Sequence, residues 1–228
     1  MKKLVLFDID GTIMNVFGAG SRSLLTVLTA VFGREANLEG YSMSGKTDTQ
    51  IVLELVERSG GTRSEVFPVL EKVWQGYIDG LAQALPRLQP QVFPGIPELL
   101  GQLAEHPDVV LGLLTGNVER AAWLKLRRVD LDGYFCLGAF GDCAPERRLL
   151  PEVAVAGAQR LTGKHFVGKD VVIIGDTPND ILCGQHLGVK AVAVATGKFS
   201  MAQLAPYRAD CLLPDFADLS QALDGILG

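Results

Sequence analysis

The chain has 228 residues, of which 48% are apolar and 21% are charged, the profile of a globular protein with room for a sizeable core. Its net charge of −5 predicts no basic surface for nucleic acid, and no apolar run reaches the ~18 residues that a membrane span needs. The first apolar run is too short for a signal-peptide core and the four cysteines show no paired spacing, so we expect a cytoplasmic protein.

The first predicted strand covers residues 3–7 and leads into Asp8-Ile9-Asp10-Gly11-Thr12. Strand side chains alternate between faces, so the two carboxylates meet at one spot if the strand continues to Asp10. Two carboxylates at such a short distance need a cation or a shared proton. An ordinary Asp-Gly turn is the alternative interpretation. A calcium loop is disfavoured, because its twelfth position needs a glutamate and the chain has Ala19 there.

Residues 16–88 follow a helical pattern without a convincing strand. Apolar residues recur at spacings of three and four up to Gly33, and Thr47 or Asp48 can cap a second helix. A third helix is predicted over 64–85, and prolines follow it.

From residue 93 onward, predicted strands and helices alternate. Strands are expected at 109–114, 135–140, 171–174, 191–194 and 211–213. This alternation predicts an α/β fold with a doubly wound, Rossmann-like parallel sheet. The strand at 3–7 must join that sheet, because a single strand is not stable alone. The expected domains are therefore a core of residues 1–15 and 89–228, and an all-helical cap of residues 16–88 above the carboxyl ends of the strands.

Two more predicted strands end in polar segments, at residues 115–117 (Thr-Gly-Asn) and 175–180 (Gly-Asp-Thr-Pro-Asn-Asp). Parallel strands place their carboxyl ends on one edge of the sheet, so these segments should meet Asp8 and Asp10. The Thr115 hydroxyl and nearby backbone N–H groups suit a phosphate. The carboxylates are hard oxygen ligands, which favour Mg²⁺ over zinc.

These motifs resemble those of the haloacid dehalogenase superfamily, in the phosphoglycolate-phosphatase-like branch with a helical cap. Residues 8–12 match the first motif, 115–117 the second and 175–180 the fourth, in the order of the family and across essentially the whole chain. The third motif of the family places a Lys or Arg, often before Pro. Here Arg147 fits that register best, and Arg148 is the alternative.

The resemblance implies a role for each acid. Asp8 attacks phosphorus and forms an aspartyl-phosphate, and Asp10 protonates the leaving group and then deprotonates the hydrolytic water. Mg²⁺ is expected on the Asp8 side chain, the Asp10 backbone carbonyl and Asp176. Asp180 is expected to orient the site rather than to bind the metal directly.

The resemblance also implies the phosphate contacts, which are Thr115, the backbones of Gly116 and Asn117, and Arg147. Lys46 resembles a residue of the cap segment that faces the substrate, and it is a candidate contact for a substrate anion. An ordinary exposed lysine is the alternative interpretation of that position.

The resemblance therefore predicts a Mg²⁺-dependent phosphomonoester phosphatase for a small phosphorylated metabolite such as phosphoglycolate, acting as a monomer or homodimer. The main alternative is a phosphomutase of the β-phosphoglucomutase type, whose fourth motif usually carries adjacent acids in place of Gly175-Asp176. Dehalogenation of 2-haloacids and phosphonate cleavage are disfavoured by Asp10, which those enzymes usually lack. A non-catalytic binding protein of this fold is disfavoured by the intact acids.

Overall fold

A computed structural model of the protein describes residues 2–228. Its strands are β1 (Lys3–Phe7), β2 (Met14–Asn15), β3 (Gln91–Val92), β4 (Val109–Leu114), β5 (Gly138–Ala139), β6 (Val171–Gly175), β7 (Lys190–Val194) and β8 (Cys211–Leu213). Six of them form one sheet in the order β5-β4-β1-β6-β7-β8, and every neighbouring pair is parallel. The predicted α/β doubly wound fold is confirmed.

Helices connect and flank these strands. They are α1 (Ala19–Phe32), α2 (Asp48–Arg58), α3 (Arg63–Val66), α4 (Leu70–Ala84), α5 (Ile96–Glu105), α6 (Glu119–Arg127), α7 (Leu150–Thr162), α8 (Pro178–Leu187), α9 (Met201–Leu204) and α10 (Leu219–Leu227). No helix within residues 2–228 combines the length and the apolar character of a membrane span.

Strand β1 lies in the middle of the sheet and is covered on both faces. Val5 and Phe7 belong to the larger apolar cluster, whereas Leu4 and Leu6 belong to a second cluster on the opposite face. This division follows from the two-residue period of a strand. A strand that is buried on both faces can carry an uninterrupted apolar run, which is what residues 4–7 show.

The structure differs from the predicted elements in four details. The helix expected over 64–85 is interrupted by a 3₁₀ turn at Phe67–Val69, because Pro68 has no N–H to donate within the helix. The strand expected over 135–140 is limited to β5. The short helix α9 and the antiparallel ribbon of β2 and β3 were not predicted.

Helices α1 to α4 occupy residues 16–88, and the β2–β3 ribbon pairs Met14 with Val92 at the two ends of that segment. The larger apolar cluster is continuous from Phe7 in the sheet to Leu24 and Tyr77 in the helices. That residues 16–88 form a cap domain of their own stays a prediction.

Gly95 offers a test of how tightly the chain packs where it leaves the helical segment. Its φ is +79°, and a Cβ there would lie 1.8 Å from the backbone oxygen of Phe216. Gly95→Ala should lower the free energy of unfolding by more than ~2 kcal/mol, because left-handed strain and a backbone clash add. Urea titration measures this change.

Gly163→Ala is the matched control for that measurement. Gly163 also has a positive φ, of +68°, but a Cβ there would meet nothing within 4 Å. It should cost only the left-handed strain of about 1 kcal/mol. Equal losses in the two variants would contradict the packing argument.

Candidate active site

The carboxyl ends of β1, β4 and β6 open into one cavity of about 340 Å³. Phe7, the last residue of β1, pairs with Leu113 in β4 and Ile174 in β6, so the polar residues that follow these three strands meet at one edge. Strand β1 ends before Asp8 and does not continue to Asp10. The parallel register of the strands therefore brings Asp8 and Asp176 together, whereas Asp10 reaches the same cavity from the loop after β1.

Asp8 lines the cavity and is buried. Its backbone N–H donates to the Ile174 carbonyl oxygen at 2.9 Å, which continues the ladder one residue past the strand. Its carboxylate lies 3.2 Å from Nη2 of Arg147. Burial raises the pKa of Asp8 to about 6; the Arg147 charge opposes that rise, and the charges of Asp180 and Asp10 add to it.

Asp176 faces Asp8 from the end of β6. Burial and then the charges of Asp8 and Asp180 raise the pKa of Asp176 to about 8. Two glycines leave room for its carboxylate, because a Cβ at Gly11 would lie 2.4 Å from Oδ2 and a Cβ at Gly197 would lie 1.7 Å from it. The backbone therefore wraps closely around this side chain.

Carboxylate oxygens of Asp8, Asp176 and Asp180 lie within 4.8 Å of one another. Asp180 already accepts hydrogen bonds from the Thr177 backbone at 3.0 Å and from the Thr177 hydroxyl at 2.7 Å, in a capping box at the start of α8. It also pairs with Arg147 at 2.5 Å. The carboxylate oxygens thus fit a divalent cation bound by Asp8 and Asp176. Asp180 would hold Thr177 and Arg147 in place beside it.

The two candidate arginines occupy different environments. Arg147 is buried, and its Nε has no hydrogen-bond partner among the described residues. Arg148 is exposed and pairs with Glu146 at 2.7 Å. Only Arg147 lines the cavity with Asp8, so its guanidinium is the one that can meet an anion there.

The loop after β4 holds Asp10. The Asn117 side-chain amide donates to Oδ2 of Asp10 at 2.8 Å and to the Thr115 hydroxyl at 2.8 Å. The backbone N–H of Asn117 also donates to the Thr115 hydroxyl, at 3.3 Å. The sequence prediction assigned Asn117 a backbone contact alone, whereas its side chain links two other residues of the site.

Lys125 of α6 was not predicted as part of the site. Its ammonium lies 2.5 Å from Oδ2 of Asp10 and 2.6 Å from Oδ1 of Asn117, and the side chain is 4% exposed. The sequence does contain a signal for it. Lys125 falls on the buried stripe of α6 with Ala121, Ala122 and Leu126, where an unpaired lysine would be costly.

Residues 45–49 of the helical segment lie directly on the core loops. The Asp48 backbone N–H donates to the Gly116 carbonyl oxygen at 2.7 Å, and the Asp48 carboxylate accepts from the Val118 backbone N–H at 2.9 Å. Thr47 caps α2, because its side chain accepts from the Gln50 backbone N–H at 3.0 Å. The Asp48 carboxylate is therefore not needed as the cap and can bind the loop after β4. Burial is the main cause that raises the pKa of Asp48 to about 6.

Lys46 lines the same cavity, with its ammonium held inside the helical segment. Its Nζ lies 2.5 Å from a Glu54 carboxylate oxygen and 4.2 Å from the centre of the Tyr41 ring. A contact with a substrate anion would compete with Glu54. That Lys46 makes such a contact stays a prediction.

Comparison with known proteins adds three observations. Residues 5–194 match the haloacid dehalogenase-like hydrolases. A phosphoglycolate phosphatase of Photorhabdus laumondii is 26% identical over 95% of this chain and 90% of its own length, and a pyrophosphatase of Anoxybacillus flavithermus is 22% identical over 96% and 95%. The crystal structure of a hydrolase from Pseudomonas syringae superposes with a TM-score of 0.73 at 18% identity, over 99% of this chain and 99% of its own. This similarity shows a shared fold only.

The acid cluster generates a prediction about pH and Mg²⁺. The protonated forms of Asp8 and Asp176 stabilise the fold, and this contribution is fully present below the ordinary pKa of 3.8. It is lost as the pH rises through about 6 for Asp8 and through about 8 for Asp176. Thermal unfolding of the metal-free protein should therefore show a falling Tm over this range. Mg²⁺ should raise Tm far more at about pH 8.5 than at about pH 5, because protonated carboxylates do not bind it.

Asp176→Asn is the test variant for this prediction, since it removes a repelled charge and a metal ligand together. It should be more stable than the wild type at about pH 8.5 without Mg²⁺, and it should respond much less to the ion. An equal Mg²⁺ response of the wild type at both pH values would contradict the assignment of these carboxylates.

Proposed function

Because the chain belongs to the haloacid dehalogenase-like hydrolase family, we propose that it is a Mg²⁺-dependent phosphatase that cleaves a phosphomonoester through an aspartyl-phosphate on Asp8. One observation carries this proposal. The Asp8 carboxylate lies 3.2 Å from the buried Arg147 guanidinium and shares a metal-sized cluster with Asp176, in a cavity that Asp10 also lines.

Asp8 and Asp10 carry the two steps of the proposed hydrolysis. An Asp8 oxygen forms a bond to phosphorus, and the bond between phosphorus and the ester oxygen breaks. Asp10 gives its proton to that leaving oxygen. A water molecule then attacks phosphorus and passes a proton to Asp10, and the bond from Asp8 breaks to release inorganic phosphate.

The charges of the site explain how a phosphate dianion can approach Asp8. Arg147 offers its guanidinium, and Thr115, with the Gly116 and Asn117 backbone, offers polar groups to the phosphoryl oxygens. Mg²⁺ held by the Asp8 and Asp176 side chains and the Asp10 carbonyl would supply the remaining positive charge. Without that compensation, the repulsion between the anions would oppose binding.

We propose a small phosphorylated metabolite as the substrate, because the cavity measures only about 340 Å³ beneath residues 45–49. The relatives named above include a phosphoglycolate phosphatase and a pyrophosphatase. Their names support a small phosphorylated molecule as the substrate class, without selecting one molecule. A phosphomutase is less well supported. A Cβ at Gly175 would lie 2.1 Å from Cγ of Asp180, which leaves no room for a second acid before Asp176.

Asp8→Asn tests the proposal directly. Hydrolysis of 4-nitrophenyl phosphate should fall to background, because an amide cannot act as the nucleophile. Removal of Mg²⁺ with an excess of chelator should have the same effect on the wild type. Phosphate release measured with and without Mg²⁺ provides the readout. Asp130→Asn, at an exposed position, is the matched control and should retain activity. Full activity in Asp8→Asn would refute the nucleophile assignment.

Lys46 and Glu54 test the expected anion contact. Lys46→Ala should raise KM for phosphoglycolate severalfold and change KM for 4-nitrophenyl phosphate much less, because only the first carries a second anion. Glu54→Gln should lower KM for phosphoglycolate, since it frees the Lys46 ammonium from its partner at 2.5 Å. Steady-state kinetics on both substrates gives the comparison. Equal effects on the two substrates would make Lys46 a structural residue.

A further inference from the structure

Lys125 is the only buried lysine within residues 2–228, and its surroundings explain why its ammonium can remain there. A buried ammonium is costly unless it is paired and hydrogen-bonded. Lys125 meets that requirement with an Asp10 oxygen at 2.5 Å and the Asn117 side-chain oxygen at 2.6 Å. The ammonium therefore contacts Asp10, which is the proposed acid of the reaction, and Asn117, which itself binds Asp10.

The two oxygens of Asp10 are not equivalent in this arrangement. Oδ2 accepts from both Lys125 and the Asn117 amide, at 2.5 and 2.8 Å. No residue between 2 and 228 donates a hydrogen bond to Oδ1, and the side chain of Asp10 is 40% exposed toward the cavity that it lines. Oδ1 is thus the oxygen available to a bound molecule.

Three side chains form a closed ring that fixes this orientation. Lys125 donates to Asp10 and to Asn117, and Asn117 donates to Asp10. The ammonium also has little space in which to move away. A Cβ at Gly20 would lie 3.5 Å from Nζ of Lys125 and 3.2 Å from the Tyr77 hydroxyl, so α1 approaches closely on that side.

We propose that Lys125 is a positioning residue, which holds Oδ2 of Asp10 so that Oδ1 faces the leaving oxygen of the substrate. This inference rests on the proposed phosphatase function, in which Asp10 is the proton donor. It differs from a contact with the phosphoryl group, because Lys125 acts only through Asp10. Misplacement of a reacting group by about 1 Å can cost about 10²-fold in rate, so the effect should be measurable.

The experiment is a double-mutant cycle with two substrates that differ in their need for a proton. Wild type, Asp10→Asn, Lys125→Met and the double variant are compared on phenyl phosphate and 4-nitrophenyl phosphate. Phenolate is the poorer leaving group, so the loss of acid catalysis lowers kcat more for phenyl phosphate. Lys125→Met should lower kcat for phenyl phosphate by about 10²-fold, affect 4-nitrophenyl phosphate much less, and leave KM within about threefold.

In the Asp10→Asn background, Lys125→Met should cause little further loss, because residues that act as a unit are not additive. Lys169→Met is the matched control, since Lys169 is exposed and pairs with Asp210 away from the cavity. If circular dichroism shows that Lys125→Met does not fold, Lys125→Gln, which keeps a donor, should show the same substrate dependence with a smaller loss.

Three results would overturn the inference. They are an equal loss on both substrates, a change confined to KM, and a full additional loss in the Asp10→Asn background. Failure of the wild type to hydrolyse either substrate with Mg²⁺ would instead refute the proposed function. The two failures are therefore distinguishable, because wild-type turnover is measured in the same series.

Discussion

An excess of buried negative charge at one edge of the sheet is the constraint on which the rest of the structure depends. The buried charged side chains within residues 2–228 are four aspartates and two cations, namely Asp8, Asp48, Asp176, Asp180, Lys125 and Arg147. Burial, with repulsion from neighbouring acids added to it, raises the pKa of Asp8, Asp48 and Asp176, so their charged forms are unfavourable without further positive charge. The proposed reaction, which brings a divalent cation and a phosphoryl group to this edge, would use the imbalance.

The two buried cations contact different acids. Arg147 contacts Asp8 and Asp180, beside the proposed nucleophile, and Lys125 contacts Asp10, the proposed acid. A single nitrogen, Nη2 of Arg147, contacts both of its carboxylates. Lys125 places its compact ammonium between an oxygen of Asp10 and an oxygen of Asn117. The same division explains why the two halves of the proposed reaction can be tested separately.

Close backbone contact joins the helical segment to this site. A Cβ at Gly116 would lie 2.1 Å from the Lys46 carbonyl oxygen, and a Cβ at Gly141 would lie 2.0 Å from the Gly116 carbonyl oxygen. Asp48 completes the contact through its own backbone and carboxylate. Any substrate larger than the cavity must separate these surfaces to enter, so their hydrogen bonds influence both access and the exclusion of water.

The sequence by itself determined the sheet and the helical segment after the first strand, because both follow from the spacing of apolar residues along the chain. It also determined that Asp8, Thr115 and Asp176 meet, because each directly follows a parallel strand. Only the tertiary structure decided which oxygen of Asp10 is held, that Arg147 rather than Arg148 is buried in the site, and that Lys125 belongs to it. Those outcomes depend on rotamers and on contacts between residues more than 100 positions apart, such as Lys125 with Asp10. No periodicity along the chain encodes such contacts, since they arise from how the elements pack.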